Sequence, residues 1–162
     1  MVAVKGLLDP GPQQVMVDLP ATSVSVDVDM TDLRTLLTIV GWPDAQIDMA
    51  QAIAQAEAGD GKGNVFSDAV GDTTLIDVKW GCSIGMFQIR SLRHPPSFGG
   101  ADIWRWAYPL RQPFYNAQAA YAITNGGDWS KWSTFTSGAY KPFLGQSPKI
   151  VPGHARANEW WK

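Results

Sequence analysis

Ala50-Gln-Ala-Ile-Ala-Gln-Ala-Glu57-Ala-Gly59-Asp60 is a run of small apolar residues that ends in one carboxylate and a glycine. Read as a helix, it places Met49 or Ala50, Ile53 and Glu57 on one face. That face is expected to be core, with Glu57 at its rim on the last turn. Gly59 is expected to stop the helix by taking the left-handed conformation. Partial burial and the negative end of the helix dipole would both disfavour the ionised Glu57 carboxyl. A carboxyl kept protonated near neutral pH is what a general acid requires. The alternative is a solvated glutamate at a fraying helix end.

Upstream, Gly41-Trp42-Pro43 separates this helix from a shorter one capped by Thr31 or Asp32, with Leu33, Leu36, Leu37 and Val40 along one side. Pro43 and Asp44 then open the helix that carries Glu57. Residues 1–30 differ in kind. Pro10, Pro12 and Pro20 exclude a helix, and Ser23-Val-Ser-Val-Asp-Val-Asp29 alternates with a period of two. This segment reads as one strand without a local partner, either an edge strand or part of an extended arm that docks to another chain.

Downstream, Gly59 to Gly63 is a loop and Thr73-Thr-Leu-Ile-Asp-Val78 a candidate short strand. Trp80-Gly-Cys-Ser-Ile-Gly-Met-Phe-Gln-Ile89 follows, then a segment rich in Pro and Trp. A helix begins at Pro113 and stops at Asn125-Gly-Gly127, with Ala117, Ala120, Tyr121 and Thr124 as its buried stripe. Asp128-Trp-Ser-Lys-Trp132 reads as a capped turn. Prolines 142, 148 and 152 make the rest an irregular tail.

The composition narrows the function classes. A chain of 162 residues with 45% hydrophobic and 17% charged residues is one ordinary globular domain plus its arm. A formal net charge of −2 gives no basis for nucleic-acid binding. No run of residues is long and apolar enough to span a membrane. Lys5 is followed by Pro10, Gly11 and Pro12 instead of an apolar signal segment. Cys82 is the single cysteine, which excludes an intrachain disulfide and reads as a structural thiol. His94 and His154 are too few and too far apart in sequence for a metal site, and no cofactor is implied. Eight tryptophans fit either carbohydrate contact or a small core that needs bulky fillers. Trp80, Trp104, Trp106 and Trp129 are the candidates to line a sugar cleft.

In this order, Ala56-Glu57-Ala58-Gly59, Gly85-Met86-Phe87-Gln88-Ile89, Asn116-Ala117 and Ala139-Tyr140 resemble the lysozyme-like superfamily of peptidoglycan-cleaving domains. The lysozyme and lytic transglycosylase modules of bacteriophage tail and lysis proteins are the nearest likeness. The resemblance covers about Thr31 to Tyr140. It implies a mostly helical α+β lysozyme-like domain over residues 31–162, preceded by the arm of residues 1–30. It also implies cleavage of β-1,4 bonds in peptidoglycan glycan strands, with Glu57 as general acid.

By the same resemblance, Gly85 would let backbone approach the sugar, Gln88 would position substrate or support the cleft, and Tyr140 would sit close to the acid. Asn116, Trp80 and Trp129 complete the implied substrate contacts. Asp72, with Asp77 next, lies where such folds carry a second carboxylate, which glycoside hydrolysis normally uses. The serine that usually follows the glutamate is Ala58 here, so a hydroxyl is missing from the pattern. The implied setting is a virion, or the host cytoplasm before release, with action on the bacterial cell wall and phage structural proteins as partners of residues 1–30. The readings left open are hydrolysis, transglycosylation with a 1,6-anhydro product, and an inactive sugar-binding or structural scaffold.

Overall fold

A computed structural model describes residues 2–4, 12–18 and 23–152, except 98 and 101. Expectations for the remaining N-terminal residues and for the tail beyond 152 lie outside the described residues.

The domain is built on two helices, α1 (Leu33–Val40) and α2 (Asp44–Ala58). Asp32 caps α1, its carboxylate accepting from the Thr35 N–H at 3.0 Å and the Thr35 hydroxyl at 2.7 Å. Gly41 ends it with φ of +108°, a conformation that favours glycine. In α2, Ile47, Ala50, Gln51, Ala52, Ile53, Ala54, Gln55 and Ala58 are all buried, so the helix is enclosed on nearly every side. Alanine permits this because its small side chain lets neighbouring elements approach closely. Its first turns are exposed at Asp44, Ala45 and Asp48, and its last turn opens part-way to solvent at Ala56 and Glu57.

The stop at Gly59 works differently from expectation. Its φ and ψ are −85° and 161°, which is extended and not left-handed. Glycine is required there because an added Cβ would lie 2.4 Å from the Gln55 carbonyl oxygen. The chain leaves the helix too close to its own last turn for any side chain.

The strands also fall elsewhere than expected. Residues 73–78 form no strand. Their polar groups close turns instead: Leu75 N–H donates to the Asp72 carbonyl at 3.0 Å, and the Asp77 carboxylate accepts from Lys79 N–H (2.8 Å) and Trp80 N–H (2.7 Å). An antiparallel sheet forms around this loop from β5 (Val70–Gly71), β6 (Trp80–Ile84) and β7 (Ile89–Leu92). Gly85, at φ +82°, and Gln88, at φ +47°, turn β6 into β7. Met86 and Phe87 at the hairpin tip are fully buried, so the turn points into the core.

Pro113–Ile123 forms α4, after a short helix α3 (Ala107–Leu110). Asn116, Ala117, Ala119, Ala120 and Thr124 are buried. Tyr121, expected in that stripe, is 36% exposed and sets its ring edge-on to Trp42 at 5.2 Å. After the turn at 128–132 comes one more helical turn, α5 (Ser133–Thr136).

The segment beyond Tyr140 is more ordered than an irregular tail. Lys149–Val151 (β8) pairs in parallel with Asn64–Phe66 (β4), and Ile150 N–H donates to the Thr31 carbonyl at 2.6 Å. The end of the domain thus closes on its start. The N-terminal segment is corrected too: Ser23–Asp29 (β3) is not alone. It pairs antiparallel with Pro12–Asp18 (β2), which pairs in turn with Val2–Val4 (β1). Val28 packs against the core and Met30 is buried within it. No helix among the described residues is long and apolar enough to cross a membrane.

Candidate active site

The end of α2 brings Glu57 beside α5. There the Thr134 hydroxyl donates to Glu57 Oε1 at 2.7 Å. Burial pushes the Glu57 carboxyl above its ordinary value; the Thr134 hydrogen bond opposes this, and the negative charge of Asp72 adds to it. Thr134 thus puts a hydroxyl on the acid from a distant part of the chain, while Ala58 puts none there.

Asp72 follows β5 in a left-handed conformation, φ +54°. Its Oδ2 accepts a hydrogen bond from the Ser83 hydroxyl on β6. Gln88 sits beside it, with Nε2 donating to the carbonyls of Ala69 (3.1 Å) and Gly85 (3.0 Å). Gly71 makes room for that amide, because a Cβ there would lie 2.2 Å from Gln88 Oε1.

These groups open onto one cleft of about 330 Å³, lined by Glu57, Asp72, Trp80, Ser83, Gln88, Ile89, Arg90, Arg105, Lys131, Trp132 and Ser133. The hairpin register explains part of the set. Ser83 is paired with Arg90 across β6 and β7, and with Gly71 across β5 and β6. Cross-strand partners share a face. Lys79 Nζ lies 4.6 Å and the Arg105 guanidinium 5.4 Å from the Trp80 ring centroid, so a sugar stacking there would compete with two cations.

The other residues singled out in the sequence lie elsewhere. Asp77 does not line the cleft: its carboxylate holds its own loop, and those backbone donors lower its pKa. Asn116 is fully buried. Its Nδ2 donates to the carbonyls of Ile84 and Leu110, both at 2.9 Å, and its Oδ1 accepts from Phe87 N–H at 3.0 Å. Gly85 is the other half of that contact, since a Cβ there would lie 2.2 Å from Asn116 Nδ2.

Trp129 is 1% exposed and stacks on Trp42 at 5.5 Å and on Phe87 at 5.7 Å, which makes it a core filler. Trp104 is partly buried, tilted against Tyr115 at 5.4 Å. Trp106 bridges to Leu92 through its backbone, outside the cleft lining. Tyr140 stacks on Phe135 at 5.4 Å and reaches the acid only indirectly, its N–H donating to the Thr134 carbonyl at 3.3 Å.

Thr134, Ser83, Trp132 and the three cations were not singled out in the sequence. Ser83 and Arg90 were accessible to an alternation argument once Trp80–Ile84 is taken as a strand. Thr134 carries no local signal, because it meets Glu57 only through the packing of α5 on α2.

Thr134 can be tested without touching the acid. Its hydroxyl favours the ionised form of Glu57, so Thr134→Val is expected to raise the pKa of that carboxyl further. The acid then stays protonated to higher pH. The alkaline limb of kcat/KM against pH should move up by about one pH unit at most, the worth of one hydrogen bond. A limb that stays fixed or moves down would show that Thr134 does not bias the protonation of Glu57.

Comparison with protein-family models gave a match to one described as "Lysozyme like domain" over residues 34–134, more than half of the 162-residue chain. The matched span runs from α1 into α5 and includes Glu57, Asp72, Gln88 and Thr134. No curated protein and no solved structure matched.

Proposed function

The chain belongs to the lysozyme-like domain family, and from that premise we propose that it is a muramidase, with Glu57 as general acid and Asp72 as the second carboxylate. Glycosidase or transglycosylase chemistry on peptidoglycan follows from the family. One observation carries the muramidase reading: a carboxyl whose pKa burial raises shares a cleft with the carboxylate of Asp72.

In this reading Glu57 gives its proton to the glycosidic oxygen as the bond to the anomeric carbon breaks. Positive charge then develops on the sugar ring. Asp72, aimed by the Ser83 hydroxyl, stabilises that charge and directs water or adds to the anomeric carbon itself. Deprotonated Glu57 next removes the proton from the incoming water. The raised pKa suits Glu57 to give a proton and take it back.

Lytic transglycosylation differs only in what attacks the anomeric carbon. The substrate's own hydroxyl would close on it, without need of a second carboxylate. The presence of Asp72 in the cleft favours water. The purified chain is therefore expected to clear suspended cell walls and release muropeptides with ordinary reducing ends. Mass spectrometry reads this directly, since anhydro products are lighter by one water. Predominantly anhydro products, or full activity in Asp72→Asn, would overturn the hydrolytic assignment.

A further inference from the structure

Three cations share the cleft with the two carboxylates: Arg90, Arg105 and Lys131. They are not equivalent. Arg90 is committed to backbone, with Nε donating to the Gly81 carbonyl at 2.6 Å and Nη2 to that of Leu75. Arg105 donates from Nη1 to the Arg90 carbonyl at 2.9 Å, and its Nε lies 3.5 Å from Asp102 Oδ1. Both guanidinium groups brace the hairpin while adding positive charge to the cleft.

Lys131 is exposed. It stands in the wall that holds Glu57, just before Trp132 and the Ser133–Thr136 turn. Among the described residues its ammonium makes no hydrogen bond or ion pair. The carboxylate it influences, Asp128, is turned to its own loop and accepts from Ser130 N–H at 3.1 Å. The whole chain carries a net charge of −2, yet the cleft holds three cations against two carboxylates, one of which burial favours in its neutral form. A cleft of opposite sign to the rest of the molecule suits an anionic ligand.

We infer that Lys131, with Arg90 and Arg105 behind it, forms a subsite for carboxylates carried by the glycan itself. This deepens the proposed function and rests on it, because muramic acid strands bear carboxylates and neutral β-1,4 polymers of N-acetylglucosamine do not. Lys131 is then a specificity residue. The carboxylate has two sources, the lactyl ether of the sugar and the peptide attached to it, and both present the same chemistry to an ammonium group.

Binding to soluble strands is measured by calorimetry for two chains, one carrying Glu57→Gln and one carrying Glu57→Gln with Lys131→Met. Five probes are compared: peptide-bearing strands, strands stripped of peptide, each of these after amidation of its carboxylates, and N-acetylglucosamine oligomers. The Lys131 chain is expected to bind carboxylate-bearing strands about fivefold more tightly than amidated ones at low salt, the upper worth of an exposed ion pair. The preference should shrink as salt rises and vanish with Lys131→Met. Stripped strands keeping it would name the lactyl group as the source; peptide-bearing strands alone keeping it would name the peptide. Equal binding of native and amidated strands, or a preference surviving Lys131→Met, overturns the inference whatever the rate of cleavage. A carboxylate preference in a chain whose Glu57 form cleaves nothing would instead retain the subsite and remove the catalytic reading.

Discussion

Glu57→Gln is expected to lower cell-wall cleavage by about 10²–10⁴-fold, the range that general acid catalysis contributes, and to leave the fold intact. Glutamine keeps the length and shape of the side chain, and its amide oxygen can still accept the 2.7 Å hydrogen bond from Thr134. It cannot give a proton to the glycosidic oxygen. The stability effect has a sign of its own. Burial raises the folded-state pKa of Glu57, so its stabilising protonated form is fully present below the ordinary glutamate value. That contribution is lost as pH rises through the raised one. Glutamine, neutral throughout, does not lose it. The variant should match the wild type in acid and equal or exceed it in melting temperature near neutrality. Wild-type turnover with purified walls would remove Glu57 from the chemistry. A variant clearly less stable at neutral pH would show that the carboxylate form is needed for folding.

Much of the domain was legible because α2 is written in local terms. A stretch of alanine with isoleucine at helical spacing is buried where it should be, and Glu57 stands at its partly exposed end. Asp72 was legible as an acid in the loop before a strand, though the strand itself lies at Val70–Gly71 and Trp80–Ile84 instead of at 73–78. Side-chain turns at Asp77 explain that miss, since they satisfy the backbone locally. The N-terminal meander was missed because β2 opens on Pro12 and its apolar residues do not alternate cleanly at that end.

The roles within the resembling motifs were harder to read. Gly85, Asn116 and Trp129 belong to the pattern, yet they build the cleft without lining it. A motif records what a site needs to fold as well as what it uses on its substrate, and sequence spacing does not separate the two. Thr134, Arg105 and Lys131 come from elements joined to the site only by tertiary packing, so no local pattern could announce them.

Asn116→Leu should have the largest effect on stability, and it separates those two kinds of motif residue. The Asn116 amide is fully buried and ties α4 to the β6–β7 hairpin through three hydrogen bonds to the backbone of Ile84, Phe87 and Leu110. Leucine fills similar volume but offers no partner, which leaves a buried N–H and two carbonyls unsatisfied. Each such group costs about 1–3 kcal/mol, so a loss of about 3–9 kcal/mol is expected, a large part of the stability of an ordinary domain. The melting temperature should fall by about 10 °C or more. Gly85→Ala strikes the same contact from the other side, because its Cβ would meet Asn116 Nδ2 at 2.2 Å and the Leu110 carbonyl at 2.7 Å, at a φ of +82°. The two substitutions together should therefore cost less than the sum of their separate effects. Were Asn116 a substrate ligand, Asn116→Leu would instead raise KM for glycan strands at an unchanged melting temperature, and that result would return the residue to the cleft.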